Sequence, residues 1–270
     1  MASKPTKTNA GKAFIATGHA ILGGLQGAGH TILLTLRSAG HAGRCWHRRR
    51  QILTQMLICG VYSIPVAMLV AAFTGMVIAL QVGIELERWG QAHRIGSLVA
   101  ASMCRELGPV WVGVILAARI GSAMAAELGS MRVSEEVDAL EVMSIDPAEF
   151  LVMPRLVALT LMAPILTVYA DLIGIIGGAI VGRYQLGVSY HMYFRLARQT
   201  LTNKDILSGM LIKAPIFGLV IAAVGCSLGL GVDPSEGAEG VGRATRSSVV
   251  TALIFLIVFN YLLTSFIRYL

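Results

Sequence analysis

Five stretches of this chain are apolar for about twenty residues or more, the length a helix needs to cross the hydrocarbon core of a bilayer. They run from Ile58 to Ile84, Leu107 to Ala126, Leu156 to Val181, Ile206 to Leu230 and Val249 to Ile267. A sixth apolar stretch, Ile95 to Cys104, is too short to span and reads as a re-entrant or interfacial helix. With 55% hydrophobic and 14% charged residues, the chain has too little polar surface for a soluble domain of its size. The expected fold is therefore an all-α integral membrane protein with five transmembrane helices, and residues 51–270 form its membrane domain.

The leader differs. Much of the net charge of +7 lies in the first fifty residues, with Lys4, Lys7, Lys12, Arg37, Arg44 and the run Arg48, Arg49, Arg50. Such a leader suits anionic lipid headgroups. Nucleic acid is not an expected partner, because no aromatic residues interleave with the charges. Residues 1–13 read as a disordered basic tail, with no short apolar core and cleavage site of a secretory signal. Residues 14–50 read as an interfacial region. From Phe14 to Ala39, apolar Phe14, Ile21, Leu25, Ile32 and Leu36 recur at helical spacing, as in an amphipathic helix lying in the membrane plane. His19, His30 and His41 share a face, but successive rings would stand about 16 Å apart, too far for one metal ion. A polar stripe at headgroup level is expected there instead. Cys45, Cys59, Cys104 and Cys226 form no CxxC pair and read as buried thiols.

Lysine and arginine bias places the leader in the cytoplasm. Five spans then put the acidic segment from Glu127 to Pro147 on the same side and the C-terminus outside. Arg183, Arg195, Arg198 and Lys204 run against this orientation, because it leaves them outside.

Ionisable residues inside apolar spans cost about 2.5–3.5 kcal/mol each on insertion scales. Arg105 and Glu106 open the second span beside Gly108 and Pro109. Arg119 lies near its middle, with Glu127 two turns further on the same face. Asp171 sits in the third span and Lys213 in the fourth. Each is either a packing pair or a group that meets a substrate. Gly174, Gly178 and Gly182, with Gly225 and Gly229, have the spacing that lets helices approach closely in lipid. There is no HExxH, no GxSxG in a suitable context and no GxxxxGK[ST] loop. The chain therefore reads as a transport subunit rather than an enzyme, with no cofactor of its own, and any ATP would be hydrolysed by a partner. The alternative is an ion-coupled secondary carrier that uses Asp171, Glu127 and Lys213 as a relay.

The acidic segment is amphipathic. Ser134 can cap a helix, Glu135 and Glu136 suit its first turn, and Val137 and Leu140 follow at helical spacing before Pro147 stops it. So short a helix needs a surface to dock on. It is either a solvated hairpin or a contact for a cytoplasmic partner.

The blocks "FTGMVIALQ", "RELGPVWVGVILAARIGSAMAAELGSM", "EEVDALEVMSIDP", "LVMPRLVAL", "PILTVYADLIGIIGG", "IKAPIFG" and "GAEGVGRATRSSVV" stand in order between Phe73 and Val250. In these the chain resembles the MlaE/YrbE family, the permease subunits of lipid-trafficking ABC transporters that work with MCE-domain proteins. The resemblance covers the chain from about Ile58 onward; the leader matches only in kind. It implies a homodimer in the cell inner membrane, bound to a cytoplasmic ABC ATPase and a periplasmic MCE-domain protein. The cargo implied is phospholipid, and the process outer-membrane lipid asymmetry. On the same grounds Leu80, Gln81, Arg105 and Glu106 would border the polar mouth of a lipid cavity. Glu135, Glu136, Asp138, Leu140 and Met143 would lie on a cytoplasmic coupling helix between spans two and three.

Overall fold

The computed structural model describes residues 27–38, 40, 48–202 and 207–269, which are helical apart from short turns and contain no strand. The basic tail, the first half of the amphipathic stretch, His19, His41, Cys45 and Lys204 lie outside the described residues.

Helix α1 comprises residues 27–38. Then come α2 (Arg49–Cys59), α3 (Ile64–Arg88), α4 (Ile95–Ser102), α5 (Gly108–Leu116), α6 (Ser122–Val133), α7 (Glu136–Val142), α8 (Met153–Tyr184), α9 (Tyr190–Thr200), α10 (Ala214–Leu230) and α11 (Gly237–Arg268). Four π-helical segments, Met103–Leu107, Ala117–Gly121, Ala148–Val152 and Leu207–Lys213, lead into α5, α6, α8 and α10. Among the described residues, five composite helices are long and apolar enough to cross a membrane: Arg49–Arg88, Ala92–Val133, Ala148–Tyr184, Ser208–Leu230 and Pro234–Ile267.

The second of these corrects one expectation. The short apolar stretch from Ile95 to Cys104 is not a separate re-entrant helix. It runs through the first π segment into α5 and becomes the leading part of the second composite helix. At 1.5 Å per residue a straight 42-residue helix would measure about 63 Å, twice a bilayer core of about 30 Å. Its α4 end is covered by α9, where a Cβ on Gly96 would fall 2.3 Å from the Tyr193 carbonyl oxygen. The Tyr193 hydroxyl, buried beside α8, donates to the Ile175 carbonyl at 3.2 Å, and burial pushes its pKa upward.

The bundle is built on small residues turned inward. On α3, Ala67, Ala71, Gly75, Ala79 and Gly83 recur every fourth residue and are all buried. Val66, Leu69, Phe73, Val77, Leu80 and Ile84 on the same helix are exposed. This inverts the pattern of a soluble helix, because lipid solvates large apolar side chains and association is driven by close backbone contact. The facing helix, α8, presents Gly174, Gly177 and Gly178. A Cβ on Gly75 would lie 1.9 Å from the Gly174 carbonyl oxygen, so the two backbones touch. Helix α8 is the central post, packed by α3, α10, α2 and α5, whereas the span built on α11 is the least buried of the five.

The leader helix α1 docks at two places. Thr31 Oγ1 donates to Ser227 Oγ on α10 at 2.9 Å, and His30 Nδ1 lies 3.1 Å from the same hydroxyl. Arg37 pairs with Asp146 at 3.1 Å, while Ser38 Oγ donates to the Ala148 carbonyl. Ile32, Leu33 and Leu36 remain exposed. Residues Gly225 to Gly229 spell GxSxG, but Ser227 sits within a helix rather than on a strand-to-helix turn, and its contacts make it an anchor for α1.

Candidate functional site

The polar cluster follows from two π segments that face each other. A Cβ on Gly209, in the segment before α10, would lie 2.1 Å from the Cys104 carbonyl oxygen in the segment before α5. Only glycine allows that approach. Pro109 has no N–H to offer the Arg105 carbonyl four residues earlier. The Lys213 ammonium donates to that carbonyl instead, at 2.8 Å, and pairs with Glu106 Oε1 at 2.7 Å. The Lys213 side chain is only 2% exposed, against 36% for Glu106. The cation is therefore sealed inside, and the carboxylate opens to one side.

Helix α11 completes the cage. Asn260 Nδ2 donates to Glu106 Oε2 at 3.0 Å, and Thr264 Oγ1 donates to Glu106 Oε1 at 2.9 Å. Asn260 Oδ1 is buried with no hydrogen-bond partner among the described residues. Arg105 is exposed beside this cage. The pair of Glu106 and Lys213 is itself neutral, and the Arg105 guanidinium stands at its edge. Behind the first π segment lies Asp171, buried on α8 with Oδ1 unpartnered among the described residues. A Cβ on Gly108 would lie 1.8 Å from that oxygen. Apolar Trp111, Leu211, Ile257 and Tyr261 are exposed nearby in the sequence of the same elements. Such a site can neutralise a polar group at one end of an apolar surface.

Other expected residues lie elsewhere. Leu80 and Gln81 are exposed on α3, turned away from its packed stripe. Arg119 and Glu127 do not pair, although they share a face by count. Arg119 Nη1 donates to Ser63 Oγ at 2.8 Å. Glu127 pairs with Arg155 of α8 at 2.8 Å. The π segment at Ala117–Gly121 rotates the face that simple helical counting predicts. Asp171, Glu127 and Lys213 therefore occupy three separate contacts rather than one relay. Gly108, against which Asp171 packs, lies nineteen residues from Glu127 along one composite helix, a rise of about 28 Å. Among the described residues no cluster of His, Cys, Asp and Glu could hold a metal ion.

The acidic segment forms a second site, at the far end of the same composite helix. Ser134 does not cap α7. It closes α6, with its hydroxyl donating to the Ser130 carbonyl, and Glu135 takes the left-handed conformation (φ 60°) at the junction. Two helices joined only by Ser134 and Glu135 need one residue to reverse the backbone. Arg132 pairs with Asp138 across that corner. Val137 is buried and Leu140 packs on the core, which docks α7 on the bundle. Glu135, Glu136, Glu141, Val142 and Met143 face outward, Val142 and Met143 being 86% and 61% exposed.

Asn260, Thr264, Arg155 and Ser63 were not anticipated from the sequence. Asn260 had a legible signal, as an amide inside the last apolar run. Arg155 sits at the edge of a span, where a cation draws no notice.

The comparisons with known proteins agree with one another. The family model described as Permease MlaE matches residues 52–266. A probable ABC transporter permease protein of Rickettsia prowazekii is 42% identical over 79% of this chain and 81% of its own length. The intermembrane phospholipid transport system permease protein MlaE of Haemophilus influenzae is 34% identical over 79% of this chain and 81% of its own. The chloroplastic protein trigalactosyldiacylglycerol 1 of Arabidopsis thaliana is 37% identical over 80% of this chain and 61% of its own.

Proposed function

Since the chain belongs to the MlaE permease family, a family of multi-pass ABC transporter permeases, we propose that its cargo is phospholipid. It exchanges that lipid, in the inner membrane, with a periplasmic MCE-domain protein. A permease of this kind works with an ATPase partner, and α7 is the surface on which that partner pushes. Two copies form the unit, meeting along the α11 face that carries Val250, Ile254, Ile257 and Val258, all exposed in the single chain. The phospholipid reading has support in the name of the Haemophilus relative, which assigns that protein to intermembrane phospholipid transport.

The observation that carries this reading is the caged carboxylate of Glu106, fixed by Lys213, Asn260 and Thr264, with exposed Arg105 beside it. Arg105 attracts the lipid phosphate by a charge-assisted hydrogen bond, and the apolar faces of α3 and α11 accept the tails. The cage keeps the Glu106 charge from competing for the headgroup. The test is ATP-driven lipid transfer from vesicles that hold the permease with its ATPase, to an MCE-domain acceptor. Arg105→Ala should lower the transfer rate about tenfold, the loss of roughly 1.4 kcal/mol of charge-assisted contact, with the complex intact. Transfer at the native rate would remove the headgroup role.

The α7 surface makes a separate prediction. Exchanging Glu135 and Glu136 for Lys should leave the fold unchanged, since both side chains are exposed. ATP hydrolysis should then run without lipid movement, or the ATPase should no longer co-purify. A variant that retains both binding and coupled transfer would rule α7 out as the lever.

A further inference from the structure

A cavity of about 280 Å³ opens at the α7 end of the bundle, between α2 and the start of α8. It is distant from the cage around Glu106 and takes no part in it. Its walls are polar on the α2 side, with Arg50, Gln51, Thr54 and Gln55, and apolar on the other, with Phe150, Leu151 and Pro154. Arg155 also lines it. That guanidinium is buried: Nη2 pairs with Glu127, Nη1 donates to the Leu151 carbonyl at 2.6 Å, and Nε has no partner among the described residues.

The charges in this cavity do not cancel. Glu127 neutralises Arg155. Neighbouring Arg48 is spent on Glu149 at 3.2 Å and on the Phe150 ring, 4.9 Å from its centroid. Arg50 has no ion pair among the described residues and is exposed at the cavity rim. Gln51 turns its carbonyl oxygen toward Arg48 Nη1, at 3.5 Å, which leaves its NH₂ group to donate elsewhere. The cavity therefore offers one uncompensated positive charge and amide donors from two glutamines, which suits a group with a single negative charge and several acceptor oxygens.

Depth selects the occupant. The arginine run at 48–50 ends where the apolar part of the first span begins. Beyond Thr54, Leu57 and Ile58 on α2 and Val61 in the turn that follows it are exposed. Beyond Pro154, the same side of α8 exposes Leu161 and Ile165. The polar cavity thus lies at the end of an apolar track along two spans, as a headgroup lies above its acyl chains. We propose that this cavity holds the phosphodiester of an anionic phospholipid, bound as a resident of the α7-side leaflet and not as the transported cargo. Arg50 and the Gln51 and Gln55 amides hold the phosphate, and the tails lie along Leu57, Ile58 and Leu161.

The test uses the full chain, purified in mild detergent and stripped of lipid, then titrated with phosphatidylglycerol, phosphatidylcholine or inorganic phosphate. Native mass spectrometry counts the bound molecules. One phosphatidylglycerol per chain is expected beyond the number retained by a chain that carries both Arg50→Ala and Gln55→Ala, which leaves any lipid at the Arg105 mouth out of the count. Arg50→Ala should weaken that binding about fivefold, the contribution typical of one basic residue at a membrane surface. Gln55→Ala should weaken it further, and neither variant should unfold the chain, because Arg155 and its pair with Glu127 are untouched. Undiminished retention in Arg50→Ala combined with Gln55→Ala would overturn the proposal. So would equal binding of phosphatidylcholine, or saturation by inorganic phosphate alone, which would make the occupant a soluble anion.

Discussion

Replacing Lys213 by Met should abolish lipid transfer and lower the yield of folded permease, because it strips the buried cation from a carboxylate that stays behind. Met keeps most of the volume, so the change is electrostatic. Glu106 loses its 2.7 Å partner and the Arg105 carbonyl loses the donor that replaces the N–H missing at Pro109. Breaking a buried pair by removing one partner costs about 3–5 kcal/mol. Glu106 is 36% exposed and can draw on solvent, so the lower end of that range applies. Adding Glu106→Gln separates structure from function. In the double variant the orphaned charge is gone, and Asn260 can turn its unpartnered Oδ1 to accept from the new amide while Thr264 donates to the amide oxygen. The thermal midpoint in detergent should recover in part, since the Arg105 carbonyl still lacks its donor. Transfer should not recover, since the cage beside Arg105 has lost both of its charges. If Lys213→Met alone transfers lipid at the native rate, the cage is packing and nothing more.

The second large effect is steric. Gly75→Leu should yield almost no folded protein in the membrane. The first carbon of any side chain at this position would stand 1.9 Å from the Gly174 carbonyl oxygen and 2.6 Å from its carbon. Both are backbone atoms of the central helix, so no rotamer change gives room. Separating α3 from α8 would also loosen Gly177, which meets Ala72 across the same seam. Overpacking typically costs about 1–3 kcal/mol per site where side chains can shift. Here they cannot, so even Gly75→Ala should lower the thermal midpoint clearly. Gly242→Ala on α11 is the control: nothing lies within 4 Å of a Cβ there, and alanine is the better helix former. Equal midpoints for Gly75→Ala and Gly242→Ala would mean that the seam does not hold the bundle.

The seam shows why part of this architecture was legible and part was not. The Gly174, Gly178 and Gly182 spacing marked α8 as a helix that others approach closely. Its partner stripe on α3 contains three alanines among five positions, Ala67, Ala71 and Ala79 with Gly75 and Gly83. Alanine is ordinary in any helix, so the stripe has meaning as a packing face only against α8. The motif around Arg105 and Glu106 was legible as a place where charge meets a span. Its pairing with Lys213, Asn260 and Thr264 was not, because they come from two other spans more than a hundred residues away.

By itself the sequence determined the five apolar spans, the position of the acidic α7 between the second and third, and the family to which these blocks belong. Length and hydropathy suffice for the spans, since a bilayer accepts only segments of sufficient apolar length; the family is carried by the blocks themselves. Tertiary structure alone decided which charges meet. Arg119 and Glu127, two turns apart on one helix, each found another helix because a π segment turns the intervening face. The run from Ile95 became part of a long composite helix because α9 covers its end. In lipid, pairing is set by where small residues let backbones touch, and that register is a property of two helices together, not of either one.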